Sequence, residues 1–538
     1  MRTWTERAAP VGPILLGAAA LFALLLALPG QTVATKYLSD LFVILDGTYR
    51  IAAGQIPNRD FHTPLGPLAY YLPALGYWLS GALGRAMPVA MAIVTCGLAL
   101  PMAYVLASRL RPVIAIPFGI FLLLIVAVPI NLGEGITALS FAKYYNRIGW
   151  AALGTLLVMY LAPERNHPRQ ETLDALCAAF LTLLMLYMKL TYGIVAVGFL
   201  LFMLTDRRQR RWSAGAVGIT VVAALVIEAF WRSSFAHLAD LRLAVDVGGV
   251  LRGTWGQITD HILFNLTDYV LLGLFAGLAL RNTRSIRDAL FYGYCAVAGF
   301  LIINQNFQAW GIISLHAAAA VAAETILRAQ ERQAPDADEH RWSTAAGAKL
   351  LFLAVVLPTI VHCAAALGLH TVAATAKAGE PVGLPRLEQV RLANLWTWND
   401  YDAAIPYLAT LRDGVEALSG LDPKPDGIFV LDLANPFSMA LDSSPPKGDT
   451  PWLQWDRTLN GTAHVPAEAL FADVQIVMEP KPAGDSSSTQ SASQSLQTLY
   501  GSYIAANFDV ARETDHWKLY RRRQLSPPQA TLPEAGRS

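Results

Sequence analysis

Three carboxylates, Asp40, Asp46 and Asp60, fall in the stretch TKYLSDLFVILDGTYRIAAGQIPNRDFHTPLGPLAYY. A carboxylate held at a helix start beside a bilayer suits general-base work on a hydroxyl, because partial burial raises its pKa towards working pH. The pattern predicts a short helix over 41–53, capped by Asp40, stopped at Gly54 and reinforced by Pro57. Asp46 lies six residues on along that helix and well round from Asp40 in angle. Either could be the base. A helix cap and a solvated carboxylate would explain the same residues without chemistry.

Further along, NLGEGITALSFAKYYNRIGW gathers Glu134, Lys143, Tyr145, Asn146 and Arg147. Lys and Arg at a bilayer face hold phosphate, while Tyr and Asn orient a sugar by hydrogen bonds; an interfacial aromatic and basic belt is the bland reading. Lys189, between two apolar stretches, either snorkels to the surface or faces phosphate. Glu228 and Arg232, four apart, are expected to pair, and His261, Asn265 and Asp268 form a polar stripe on one helix face. Asn304, Gln305, Asn306, Gln308 and His316 share a compact turn whose amides suit hydroxyl recognition. Asn435, Phe437, Trp452 and Trp455 are candidates for an aromatic acceptor platform. There is no P-loop, no Ser nucleophile elbow and no His-Glu-x-x-His motif.

The elements that must position these groups are set by composition. Of 538 residues, 54% are hydrophobic and 15% charged, and the net charge is +1, which excludes an ordinary soluble enzyme and gives no reason to expect a nucleic-acid partner. Cys96, Cys177, Cys295 and Cys363 all lie in apolar runs without C-x-x-C spacing, so they read as small core residues. Apolar runs near 12–30, 87–107, 112–131, 148–163, 172–188, 190–205, 213–231, 261–280, 288–304, 309–327 and 347–368 predict about 11 helical spans. The aromatic, Pro-interrupted run 67–84 is read as a surface helix, because letting it cross would export DRRQRR and RNTRSIR against the positive-inside rule.

The fold class is therefore a polytopic α-helical membrane protein with a small extracytoplasmic α/β C-terminal domain. Residues 1–369 form the multi-span part, with its first external loop at 31–86, and 370–538 the outer domain, with a flexible loop near 484–495. A helix over DYDAAIPYLATLRDGVEALSGL and strands at GIFVLDL, VQIVME and WKLYRRR are expected there. The N-terminus is placed in the cytoplasm and the C-terminal domain outside.

The order Asp40, a short helix with Tyr49, Ala-x-Gly ending at Gly54, then Pro57, Asp60 and Phe61 before a Gly-Pro and an aromatic segment resembles the first external loop of GT-C superfamily glycosyltransferases. Aminoarabinose transferases and protein O-mannosyltransferases belong to that superfamily. The specific part covers roughly residues 35–85. It departs from the pattern in carrying Leu41 where many relatives have a second acid, with an additional acid at Asp46. The resemblance implies an inverting transferase acting at the periplasmic face of a bacterial inner membrane. Its donor would be a polyprenyl-phosphate sugar and its acceptor an envelope glycan, glycolipid or protein. On that reading Asp40 or Asp46 is the catalytic base, and Lys143, Arg147 and Lys189 bind the donor phosphate. Asp60, His62, Glu134, Tyr145, Asn146, Gln305 and Asn306 contact sugar or acceptor. No cofactor is required, though carboxylates of this kind ligate Mg²⁺ or Mn²⁺. Two alternatives share the membrane habit: a polymerase or ligase using a diphosphate-linked donor, which would need no carboxylate in the first loop, and a lipid-linked-sugar carrier or flippase.

Overall fold

A computed structural model describes residues 10–164, 168–248, 255–306, 308, 311–332, 339–481 and 488–523. The chain opens with α1 (Val11–Ala27), β1 (Thr32–Ala34), α2 (Leu38–Ala52) and α3 (Leu68–Ser80). The helical bundle continues through α4 (Ala86–Arg109), α5 (Pro112–Ala127), α6 (Tyr144–Val158), α7 (Gln170–Met188), α8 (Leu190–Leu204) and α9 (Arg210–Trp231). It is completed by α10 (Ser234–Asp246), α11 (Trp255–Phe264), α12 (Leu266–Thr283), α13 (Ile286–Asn306), α14 (Ile313–Arg332) and α15 (Glu339–Thr375). Then follow β2 (Glu380–Pro381), β3 (Val390–Leu392), α16 (Trp398–Ser419), β4 (Ile428–Val430), α17 (Phe437–Leu441), α18 (Ala467–Leu470), β5 (Ile476–Pro480), α19 (Ser488–Asn507), β6 (Phe508–Glu513) and β7 (Trp517–Arg522).

Five stretches, Leu83–Arg109, Gln170–Met188, Arg210–Trp231, Ile286–Gln305 and Ala345–Thr375, are long and apolar enough to cross a membrane. A sixth arises if Ile258–Phe264 and Leu266–Thr283, bent by 65° at their junction, count as one broken span. The chain is thus a mostly helical integral membrane protein. Ten of the eleven expected runs fall each on a helix of its own and the run 261–280 is broken between α11 and α12, but length and apolarity alone secure five or six crossings. The difference lies in helices such as α5, whose 16 residues reach about 24 Å and are largely wrapped by neighbouring helices. The segment 67–84 is short as well. With 13 residues, α3 extends about 20 Å against a hydrocarbon core of about 30 Å, and it carries Pro73. It leaves Trp78 and Leu79 exposed while packing on α2 and α4. Gly76 permits that approach, since a Cβ there would sit 2.1 Å from the Ala86 carbonyl oxygen.

Two small sheets carry the rest. In the first, β1 lies parallel to β3, with Thr32 opposite Val390, and β2 runs antiparallel on the other side of β3. In the second the order is β4-β5-β7-β6, with β4 and β5 parallel and the other pairs antiparallel. Phe429, Leu431, Val477, Leu496, Tyr500 and Phe508 form its core under α19. The three expected strands and the α16 helix are present. The stretch expected as a flexible loop near 484–495 is helical from Ser488, while 482–487 lie outside the described residues.

Candidate active site

The first turn of α2 sets the centre of the site. Its N-cap is Tyr37, held at φ 56°, so Asp40 stands in the first turn rather than at the cap as expected. In that turn the unsatisfied amides and the helix dipole favour a negative charge. α6 begins in the same way, with Lys143 at φ 54°. The two starts are fastened together: the Lys143 Nζ lies 5.1 Å from the Tyr37 ring centre, and the Tyr37 hydroxyl donates to Glu134 Oε1 at 2.5 Å. Lys36 Nζ reaches Glu134 Oε2 at 3.2 Å. Left-handed backbone at two bulky residues is strained and persists only where the surroundings over-determine it.

Three cations face Asp40 or one another here. Lys143 and Arg457 act on the Asp40 carboxylate, and Arg457 and Lys143 both act on Lys189. Lys189 Nζ donates to Asn146 Oδ1 at 3.3 Å and sits 5.5 Å from the Tyr145 ring centre. Asp40, Lys143, Lys189 and Arg457 all keep a partly exposed surface, although Asp40 and Lys189 are closely surrounded by protein. Their charges act on one another at a shared, partly exposed site. Burial pushes the Asp40 carboxyl up against the lowering pull of Lys143 and Arg457. Burial also lowers Lys143, and together with the charges of Arg457 and Lys143 it brings Lys189 down to about 7. The site holds more positive charge than Asp40 balances, and it contains a carboxyl group ready to take a proton.

Asp46 has another task. It is fully buried and receives Arg50 Nε at 2.9 Å, while the Arg50 guanidinium also binds Asp449 Oδ1 at 2.5 Å and Oδ2 at 2.8 Å. Arg50 further donates to the Pro446 carbonyl at 2.8 Å, and Gln55 to that of Pro445 at 2.7 Å. Asp46 thus belongs to a buried ion triad between α2 and the 445–449 loop, because the six-residue offset turns it away from that site.

Several other expected site residues hold structure together instead. Asp60 accepts the Ile56 amide at 2.8 Å and meets Lys447 at 3.4 Å. His62 Nδ1 lies 2.7 Å from Asp240 Oδ1 of α10, a hydrogen bond that raises its pKa. Glu134 holds Lys36 and Tyr37 while its side chain stays partly exposed. Arg147 is fully buried, and none of its three guanidinium nitrogens has a hydrogen-bond partner among the described residues. The ionisable groups that bear on it are Cys363 of α15 and Tyr144, so it does not join Lys143 and Lys189. Gln305 receives the Thr191 hydroxyl, two residues past Lys189, and the Asn306 side chain lies outside the described residues. Glu228 binds Ser234 rather than Arg232. Phe437 and Trp452 are buried, Asn435 closes a turn on Ile428 and Phe437, and Trp455 is half-buried against the core of the second sheet. Among the described residues no group of three or more His, Cys, Asp or Glu is placed to hold a metal.

Sequence reasoning missed Arg457. It follows Asp456 at φ 58° in a tight turn, with its guanidinium carbon 5.4 Å from the Trp452 ring centre. Nothing local in WDRTLN marks it, because its partners lie more than 260 residues away in the chain.

No protein-family model and no curated protein matches the chain. Among solved structures it is similar to apo ArnT from Cupriavidus metallidurans, at 14% identity over 94% of this chain and 97% of that one, with a TM-score of 0.46. It is similar to the same ArnT bound to undecaprenyl phosphate, at 14% identity over 95% and 98%, with a TM-score of 0.47. The Archaeoglobus fulgidus oligosaccharyltransferase in complex with Zn and sulfate matches at 15% identity over 87% of this chain and 68% of that one, with a TM-score of 0.43.

Proposed function

We propose that the protein is an inverting glycosyltransferase that moves a sugar from a polyprenyl-phosphate carrier to a hydroxyl acceptor at the periplasmic face of a bacterial inner membrane. The observation that carries this reading is the grouping of Lys143 and Arg457 about Asp40, with Lys189 in reach of both cations. A carboxyl with raised proton affinity accepts the acceptor's proton as its oxygen attacks the anomeric carbon. The bond from that carbon to the phosphate oxygen breaks, and the carrier leaves as a phosphate monoester whose charge the three cations neutralise. Attack opposite the leaving group inverts the anomeric centre.

A second feature agrees with a lipid-linked donor. An apolar crevice of about 710 Å³ opens between α3, α4, α7 and α9, lined by Leu72, Leu98, Leu184, Tyr187 and Phe230 among others. Tyr187 lies two residues before Lys189, so a hydrocarbon chain in this crevice would bring its phosphate towards the cations. The envelope glycan or glycolipid acceptor, the assignment of residues 1–369 and 370–538 as membrane and outer domains, and the external location of the C-terminal region belong to the same proposal.

The test is transfer of labelled sugar from polyprenyl-phosphate donors in purified membranes, comparing wild type, Asp40→Asn and Asp46→Asn at matched expression. Loss of transfer in Asp40→Asn with donor binding retained supports the reading. Equal transfer by Asp40→Asn and wild type would sink it.

A further inference from the structure

Asp432 follows β4 at its carboxyl end, in the segment LDLANP. One of its oxygens accepts the Leu433 amide at 2.7 Å, and no cation pairs with it among the described residues. It is enclosed by protein on nearly every side yet keeps a partly exposed surface, as a group on a crevice wall does. Two neighbours tie it to the reaction centre. The Leu433 carbonyl accepts the Leu453 amide at 3.2 Å, which lays the loop bearing Trp452 and Arg457 alongside. Across from it, the Tyr407 ring of α16 lies 6.4 Å from the ring of Phe42, two residues past Asp40. The charges of both Asp432 and Asp40 act on the Tyr407 hydroxyl. The space around the Tyr407 hydroxyl is thus within reach of both Asp40 and Asp432, and the loop bearing Arg457 runs beside Asp432; Asp40 stands on α2 and the other three residues in the C-terminal region.

Charge divides that space. The donor phosphate belongs with Lys143, Lys189 and Arg457, and a second carboxylate repels it. A carboxylate and a phenol suit hydroxyl groups instead, the carboxylate by accepting and the phenol by either role. We propose that Asp432 and Tyr407 form an acceptor subsite for a sugar ring, in which one hydroxyl gives its proton to Asp40 while a neighbouring hydroxyl donates to Asp432. This rests on the glycosyl-transfer reading above. A simple alcohol would leave Asp432 unpaired, and a site built to hydrogen-bond a hydroxyl rejects an analogue that lacks it.

The experiment measures transfer by the full chain in detergent from a labelled polyprenyl-phosphate sugar. Octyl glycosides with glucose, mannose, galactose or arabinose heads are compared with 1-octanol as acceptors. Wild type is expected to use at least one glycoside tenfold better than 1-octanol. Asp432→Asn should raise the KM for that glycoside at least fivefold while the donor KM stays within twofold. Tyr407→Phe, which keeps the ring on Phe42, should move the acceptor KM in the same direction and serves if Asp432→Asn fails to fold. Wild type without preference for a glycoside, or variants with wild-type acceptor KM, overturns the subsite. Wild type that releases no sugar to any acceptor or to water overturns the glycosyl-transfer reading itself.

Discussion

Asp40 and Asp46 sit six residues apart on one helix in opposite surroundings, and their substitutions should separate accordingly. Asp40→Asn is expected to lower transfer by about 100-fold or more. Since burial disfavours its charged form, the same change should leave the thermal unfolding midpoint equal or higher. Arg50→Met should do the reverse, stranding two buried carboxylates and lowering stability by about 3–5 kcal/mol in chemical unfolding. The pH profile follows from two signs. Asp40 becomes a base only as pH rises through its raised pKa, and Lys189 loses its charge as pH rises through about 7. The profile of kcat/KM should therefore be bell-shaped with an alkaline limb near 7, and Lys189→Arg should carry that limb upward because a guanidinium keeps its proton. A limb that stays in place would assign it to another group. The acids and bases of the first two loops were legible from sequence because they cluster locally. Which of them are paired in buried ion clusters and which stay partly exposed was not, since it depends on partners such as Asp449 and Arg457 that lie some four hundred and three hundred residues further on.

At the scale of elements, the first loop is pressed against α7 at Gly66, where a Cβ would lie 2.1 Å from the Tyr187 carbonyl oxygen. Gly66→Ala must displace the turn that carries Lys189, so the donor KM should rise and the unfolding temperature fall. Kinetics with varied donor and a thermal scan check both. Unchanged donor KM would mean that the turn is not part of the donor site. Apolar runs disclosed the bundle helices because burial and lipid ask for the same residues. The strands of the first sheet escaped notice for a physical reason: each has two or three residues, too few to show alternation, and their pairing joins distant parts of the chain. β6 was hidden differently, following α19 at Asn507 and Phe508 with no Gly or Pro to mark the change.

At the scale of the whole molecule, the surroundings of Asp40 are drawn from both the bundle and the C-terminal region, whose Arg457 acts on Asp40 and whose Tyr407 is acted on by it. Arg457→Met should raise the donor KM roughly tenfold, the worth of one charge-assisted hydrogen bond. Donor titration against product formation tests this, and an unaltered KM would confine phosphate binding to the bundle. The pairing of β1 with β3 joins residues 32–34 to 390–392 in parallel register. A ribosome adding about 5–20 residues per second needs on the order of tens of seconds to travel between those strands. Throughout that interval the segment leading to Asp40 waits without its partner strand. Chains cut short by premature stop codons before β3 therefore carry β1 and Asp40 without the strand that fixes them and without Arg457.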